Sequence, residues 1–494
     1  MAPLTGQTLL IGWLLLPYAA AFLAALLPPL ARWLALVCCL ATGAVAVAIQ
    51  AGVLPASLSL LGPYGVELQP DGLAAPFLLL DALVCGAVVL DGWRRTLPGP
   101  FLLLLMVLHG GLASAFVAVD LVSLYVTLEV VGIAAFLLIL ASRSERTLWL
   151  SLRYLLIGNT VMTLYLVGAA VVYLTQGSFR LEAVAGAGAA ALALLLVGLL
   201  TKAGLFLSGL WLPRTHAEAP AEVSALLSGV VVAAGVVPLL RLSSVVPALA
   251  AVLPLIGVAS AGLGLLFALA EADAKRLLAW STLSQMGLVV LAPAAGGLYA
   301  LGHGLAKAAL FLVARRFPGR DLAGWAGRPL AAGVWVPLWI GSLSIVGVPP
   351  LLGFFAKSGL DRALPGPMGL LLSLLTVGTA AVYARLWGAP LLAEAPASPA
   401  AAMTPPEPAW SPGVLLLLLA LVLLGATEAT RTWSPALLPA AAKAALVLAA
   451  GVGLHRLLQP LRRRPWFRLP DLEGFPDLVG GIGVVGAGLL VWIR

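Results

Sequence analysis

The 494-residue chain is 62% hydrophobic and 10% charged, with a mean hydropathy of +1.08. That balance excludes a water-soluble globule and implies a polytopic membrane protein. Its 28 basic and 20 acidic residues leave a net charge of +8, too thinly spread for a nucleic-acid surface, and no basic patch is interleaved with aromatics.

The opening, MAPLTGQTLLIGWLLLP, has no basic residue before its apolar run and is expected to be an uncleaved first span. Windows of roughly 20 residues pick out about sixteen candidate spans: 9–27, 33–54, 73–89, 101–118, 121–141, 148–174, 190–212, 221–242, 246–268, 277–295, 301–314, 331–355, 368–386, 414–426, 436–454 and 479–493. The expected fold is all-α and polytopic, with about 14–16 transmembrane helices. Residues 1–98 hold N-terminal helices, 99–243 and 244–390 two sets of spans, 391–412 a Pro/Ala-rich loop, and 413–494 C-terminal helices. Cys38, Cys39 and Cys85 all sit in apolar runs, in neither a disulfide framework nor a zinc or iron–sulfur spacing. No metal, cofactor or redox centre is expected.

If the spans alternate, Arg32, Arg94, Arg95, Arg143, Arg146, Lys275, Arg276, Arg315, Arg316, Arg320 and the run 462–464 share one side. The positive-inside rule places them in the cytoplasm and the first residue outside. Arg180, Arg241, Arg362 and Arg431 are scattered exceptions.

Charged groups within apolar spans are the functional candidates, because hydrocarbon penalises them. Glu129 lies mid-helix in DLVSLYVTLEVVGIAAFLLIL, where a carboxylate survives only protonated or paired; Asp120, at the start of that run, reads as a helix cap. Lys202 is the natural partner for Glu129 and stands several residues before a break expected at Trp211 to Pro213. His303 and Lys307, four apart in LGHGLAKAALFLVA, share a helix face and suit a relay. Lys357 follows SLSIVGVPPLLGFFA, whose Pro349 and Pro350 should break the helix and free carbonyls. His109 reads as a packed histidine. For His216, Glu218 and Glu222, a solvated turn stands beside an ion entrance. Glu271, Asp273, Lys275 and Arg276 read as a charge cluster at the membrane edge. No phosphate-binding loop, nucleophile elbow or His-Glu-x-x-His occurs, so no catalytic residue is assigned.

Four segments in order, LTKAGLFLSGLWLPRTHAEAPAEVSALLSG, DAKRLLAWSTLSQMGLV, LGHGLAKAALFLVARR and SLSIVGVPPLLGFFAK, resemble the antiporter-like membrane subunits shared by respiratory NADH:quinone oxidoreductase (complex I), Mrp-type cation:proton antiporters and membrane-bound hydrogenases. The resemblance covers residues 101–386. It implies two inverted five-helix repeats, each with a broken helix, matching the two sets of spans. It also implies that Glu129 and Lys202 form the charged pair of a first half-channel, that His303 and Lys307 belong to a central polar axis, and that Lys357 feeds an exit path. Implied partners are other membrane subunits of a hetero-oligomeric complex, the lipid bilayer of a plasma or energy-transducing membrane, and protons or sodium. Two departures stand out. Where family members often carry lysine or histidine after the HAEAP turn, this chain has Ser228 and Ala233, with no ionisable residue between Glu222 and Arg241; and Leu207 and Gly209 replace the usual proline and histidine. The leading expectation is an ion-translocating subunit; the alternative is a scaffold subunit that does not conduct.

Overall fold

The computed structural model describes residues 2–53, 57–61, 64–95, 97–141, 143–325, 330–388, 410–432, 435, 437–463, 467 and 469–493. Most of the expected 391–412 loop, and Arg464, lie outside the described residues. In hydrocarbon a backbone must satisfy its own hydrogen bonds, so apolar runs of this length fold as helices. The helices are α1 (Ala2–Leu26), α2 (Ala31–Gln50), α3 (Ala74–Asp91), α4 (Phe101–Val117), α5 (Leu121–Leu140), α6 (Glu145–Gln176), α7 (Ala189–Lys202), α8 (Trp211–Glu218), α9 (Ala221–Leu226) and α10 (Val232–Val245). They continue as α11 (Pro247–Ala270), α12 (Ala274–Leu291), α13 (Pro293–Ala314), α14 (Ala332–Val346), α15 (Leu352–Ala363), α16 (Pro367–Gly388), α17 (Pro412–Arg431), α18 (Leu437–Leu458) and α19 (Phe475–Trp492). A two-residue hairpin, β1 (Leu58–Ser59) on β2 (Glu67–Leu68), is the one sheet among the described residues.

Each of the sixteen expected spans has a helical counterpart. Among the described residues, twelve helices are long and apolar enough to cross a membrane, thirteen if the bent α7–α8 pair is one span. Helices α4 and α14 are apolar but shorter, and α12 begins with Lys275 and Arg276 and carries Ser281, Thr282, Ser284 and Gln285. The run Ala221–Val245, whose turn widens to a π-helix at Leu227–Val231 between α9 and α10, is buried from Ala221 to Leu242, and α13 is nearly wholly buried. Helices α18 and α19 lie at the periphery.

Helix termini are tied by side chains. Asp120 caps α5, accepting from the Val122 and Ser123 amides at 3.0 and 2.7 Å, and also accepts from the Glu67 amide at 2.8 Å. Asp273 caps α12 in the same way. The basic residues gather in ion pairs at one end of the bundle: Arg95 with Asp91 and Glu222, Arg315 with the same two acids, and Glu218 with Arg146 and Arg320. Arg276 pairs with Glu271 and Glu473, which fixes the loop before α19. The opposite end holds Arg241–Asp71 at 2.6 Å and the Arg180–Glu67 pair. Asp71 and Asp91 stand at opposite ends of α3, and Glu222 and Arg241 at opposite ends of the α9–α10 run, so the two clusters lie at opposite ends of the bundle. The turn acids Glu218 and Glu222 are thus paired rather than solvated.

A charged file at two helix breaks

Helix α7 ends on Lys202. The chain then turns through Gly204 (φ +67°) and a short 3-10 segment, Phe206–Gly209, before α8, and the two limbs meet at 45°. The break therefore falls on two glycines, ahead of its expected place. Pro213 sits in the first turn of α8, where a helix does not need the amide that proline lacks. A Cβ on Gly209 would come within 2.4 Å of the Gly204 backbone, so only glycine allows the chain to fold back this tightly. The Thr201 carbonyl accepts from the Gly204 amide at 3.1 Å and from the Trp211 indole N–H at 2.8 Å, and the Phe206 amide donates to Ser260 Oγ at 3.0 Å.

The Lys202 ammonium lies 3.4 Å from Glu129 Oε1 and 3.4 Å from the Leu128 carbonyl. Two glycines make room for it: a Cβ on Gly132 would stand 2.9 Å from Lys202 Nζ, and one on Gly158 3.5 Å from it. Carboxylate and ammonium are thus brought together from α5 and α7 at the mouth of a broken helix, where backbone polar groups help to carry a charge that lipid would not.

The second break separates α14 from α15 and contains Gly347 (φ +92°), Pro349 and Pro350. The Lys357 stem crosses Gly347, where a Cβ would meet its Cδ at 2.8 Å. Its buried ammonium has no hydrogen-bond partner among the described residues. It borders a cavity of about 30 Å³, water-sized, lined also by Asp361, Thr376 and Lys443.

Between the breaks, α13 presents His303 and Lys307 on successive turns. Lys307 is fully buried; its ammonium donates to the Leu278 carbonyl at 2.5 Å and to Ser281 Oγ, and lies 5.6 Å from the Tyr383 ring centroid. All three partners are neutral. His303 is buried within electrostatic reach of both Lys307 and Lys357, and neither ring nitrogen is hydrogen-bonded among the described residues.

The hydroxyls around Lys307 were not singled out in the sequence. Ser281 Oγ meets the Tyr383 hydroxyl at 3.0 Å. Thr282 Oγ1 donates at 3.1 Å to the same Leu278 carbonyl that Lys307 uses and lies 2.8 Å from Ser228 Oγ, on the π-helical turn. Tyr299 donates to Gln285 Oε1 at 2.5 Å, and Gln285 reaches Thr379 at 3.4 Å. Their signal was the cluster Ser281, Thr282, Ser284 and Gln285 in an otherwise apolar helix. His216 also moves inward: its ring is buried between Trp211 and Phe311, at 5.8 and 6.3 Å. Ala233 is buried on α10, and no hydrogen-bonded chain among the described residues joins Lys202 to the Lys307 cluster.

Comparisons with known proteins place the chain in a family and match its fold. Residues 118–382 match the family model described as NADH:quinone oxidoreductase/Mrp antiporter, TM. The chain is 34% identical to NADH-quinone oxidoreductase subunit 14 of Thermus thermophilus over 385 residues, 73% of this chain and 86% of that one. It is 33% identical to NADH-quinone oxidoreductase subunit N of Desulforudis audaxviator, over 60% of this chain and 66% of the relative. It is 30% identical to a Na(+)/H(+) antiporter subunit of Alkalihalophilus pseudofirmus, over 61% of this chain and 67% of the relative. Its fold is shared with a chain of the Mrp complex from a Dietzia species, at a TM-score of 0.75 and 20% identity over 94% of this chain and 99% of that one. A chain of an archaeal membrane-bound sulfane sulfur reductase matches at 0.75 and 22%, over 90% and 98%. This chain belongs to the NADH:quinone oxidoreductase/Mrp antiporter family of membrane subunits.

Proposed function

We propose that this chain moves protons, or sodium in exchange for protons, through a membrane-midplane file of Glu129, Lys202, His303, Lys307 and Lys357, as one subunit of a hetero-oligomeric membrane complex. The observation that carries the reading is the Lys202–Glu129 pair, 3.4 Å apart beside a helix break, with glycines at 132 and 158 clearing space for the ammonium. Such a pair is a two-state element. Movement of Lys202 away from Glu129 and back couples the position of the ammonium to proton loading and release in the file. Lys307, held by neutral oxygens only, can lose its proton without breaking an ion pair, which suits a relay. The relatives named as quinone oxidoreductase and antiporter subunits support membrane partner subunits for this chain, and the two glycine-containing breaks support a pair of inverted repeats. The basic end of the bundle is assigned to the cytoplasm and the first residue to the outside.

The test is to reconstitute the complex containing this subunit in vesicles and follow a pH dye. Glu129→Gln and Lys202→Ala are each expected to slow ion movement at least about tenfold while the complex still assembles, a loss of about 1.4 kcal/mol or more in barrier terms. Unchanged transport in both variants would make this chain a scaffold whose buried charges do not conduct.

A further inference from the structure

A second buried cluster lies among α1 to α4, ahead of the family-matched segment 118–382. Asp81 and Cys85, four apart on α3, share a face, and His109 of α4 projects toward them. All three are buried, and one ligand atom from each lies within 4.8 Å of the others. Asp81 Oδ2 and His109 Nδ1 are 2.8 Å apart. Cys85 Sγ points at Asp81 Oδ1 from 3.2 Å. His109 is the only ion-pair partner of Asp81 among the described residues. The remaining thiols are close in the fold: Cys39 of α2 packs at Gly86, beside Cys85, so α2 and α3 carry every cysteine in the chain.

We propose that Asp81, Cys85 and His109 bind a divalent transition-metal cation of the zinc class, which staples α3 to α4. Carboxylate, thiolate and imidazole are the donor types that zinc takes. A tetrahedral cation with bonds of about 2.0–2.3 Å separates its ligand atoms by about 3.3–3.7 Å, so the Asp81–His109 and Cys85–Asp81 approaches of 2.8 and 3.2 Å widen slightly on binding. The charge balances as well: one divalent cation, one carboxylate and one thiolate sum to zero, which suits a buried site. When the metal binds, the Cys85 S–H proton leaves to solvent and the sulfur lone pair forms the metal bond. The other face of the imidazole is braced as in metal sites generally, with His109 Nε2 2.9 Å from Thr42 Oγ1 and that oxygen accepting from the Trp13 indole at 3.0 Å. Three protein donors leave a fourth position for water.

The full chain, purified in detergent under reducing conditions and stripped with chelator, is titrated with cobalt(II) alone. The expected result is one equivalent bound, with visible ligand-field bands and a sulfur-to-cobalt charge-transfer band, both lost on adding zinc. Cys85→Ser should remove the charge-transfer band, and Thr42→Val should weaken binding about tenfold. The wild-type titration needs no variant to fold. Absence of the band in monodisperse wild-type protein, or its persistence in Cys85→Ser, overturns the proposal and leaves the Asp81–His109 pair as a proton site only. Binding is read without transport, so this result is independent of the charged file.

Discussion

Lys202 shows how a single position can hold a charge in an apolar helix: its cost is met by one carboxylate, one carbonyl and the missing side chain of Gly132. Gly132→Ala puts a methyl 2.9 Å from Nζ. Because the atom displaced is the end of a flexible chain, stability should change by less than about 1 kcal/mol, while the Glu129 contact opens and transport falls. Thermal unfolding beside a vesicle assay separates the two effects. Lys307 makes the complementary case. Lys307→Met keeps the volume and removes a buried ammonium whose partners are neutral, so the unfolding midpoint should hold or rise while ion movement is lost. A large drop in midpoint would mean that the ammonium is a structural tie.

At the scale of elements, the two helix breaks are built differently. The first depends on Gly204 and Gly209 with proline tolerated just inside α8; the second places Gly347 ahead of a proline pair. Gly209→Ala cannot be absorbed by a rotamer, since the obstacle is backbone at 2.4 Å. It should destabilise the fold by about 2 kcal/mol and impair transport without touching a charged residue. The ion-pair end behaves as a unit. Glu222 is buried and answers both Arg95 and Arg315. Glu222→Ala should destabilise by about 2 kcal/mol, less than the loss of a fully buried pair because both arginines are partly exposed. Unfolding by denaturant in detergent reads this, and an unchanged midpoint would mean that Asp91 alone suffices.

At the scale of the whole molecule, Lys307 and His303 lie on the nearly wholly buried α13, Glu129 lies on the partly exposed α5, and α18 and α19 are outermost. The assigned orientation is directly measurable. Arg146, exposed at the basic end, and Glu182, exposed in the loop between α6 and α7, stand on opposite edges. Since the three native cysteines are buried, Arg146→Cys in intact cells should resist a membrane-impermeant thiol reagent and Glu182→Cys should react. The reverse pattern would invert the topology.

Much of this protein is set locally and is legible in the chain. Hydrocarbon forces apolar runs of span length into helices, so every expected span has a helical counterpart, those at 190–212 and 331–355 broken, and Asp120 and the proline pair at 349 and 350 announced a cap and a break through chemistry that acts within a few residues. Glu129, Lys202, His303, Lys307 and Lys357 stood out because lipid makes an ionisable side chain conspicuous. What the sequence hid depends on which helices are neighbours. The Ser228–Thr282 and Ser281–Tyr383 contacts join residues 54 and 102 positions apart. His216 was left between a solvated turn and an ion entrance, whereas its ring is buried against Phe311 of α13, and Pro213 drew attention from the glycines that make the first break. Asp81, Cys85 and His109 matched no ligand spacing because two of them come from one helix and the third from the next. Sequence alone determined the helices and the charges buried in them. Tertiary packing decided which charges meet, because side chains of ordinary reach touch only when their helices lie side by side.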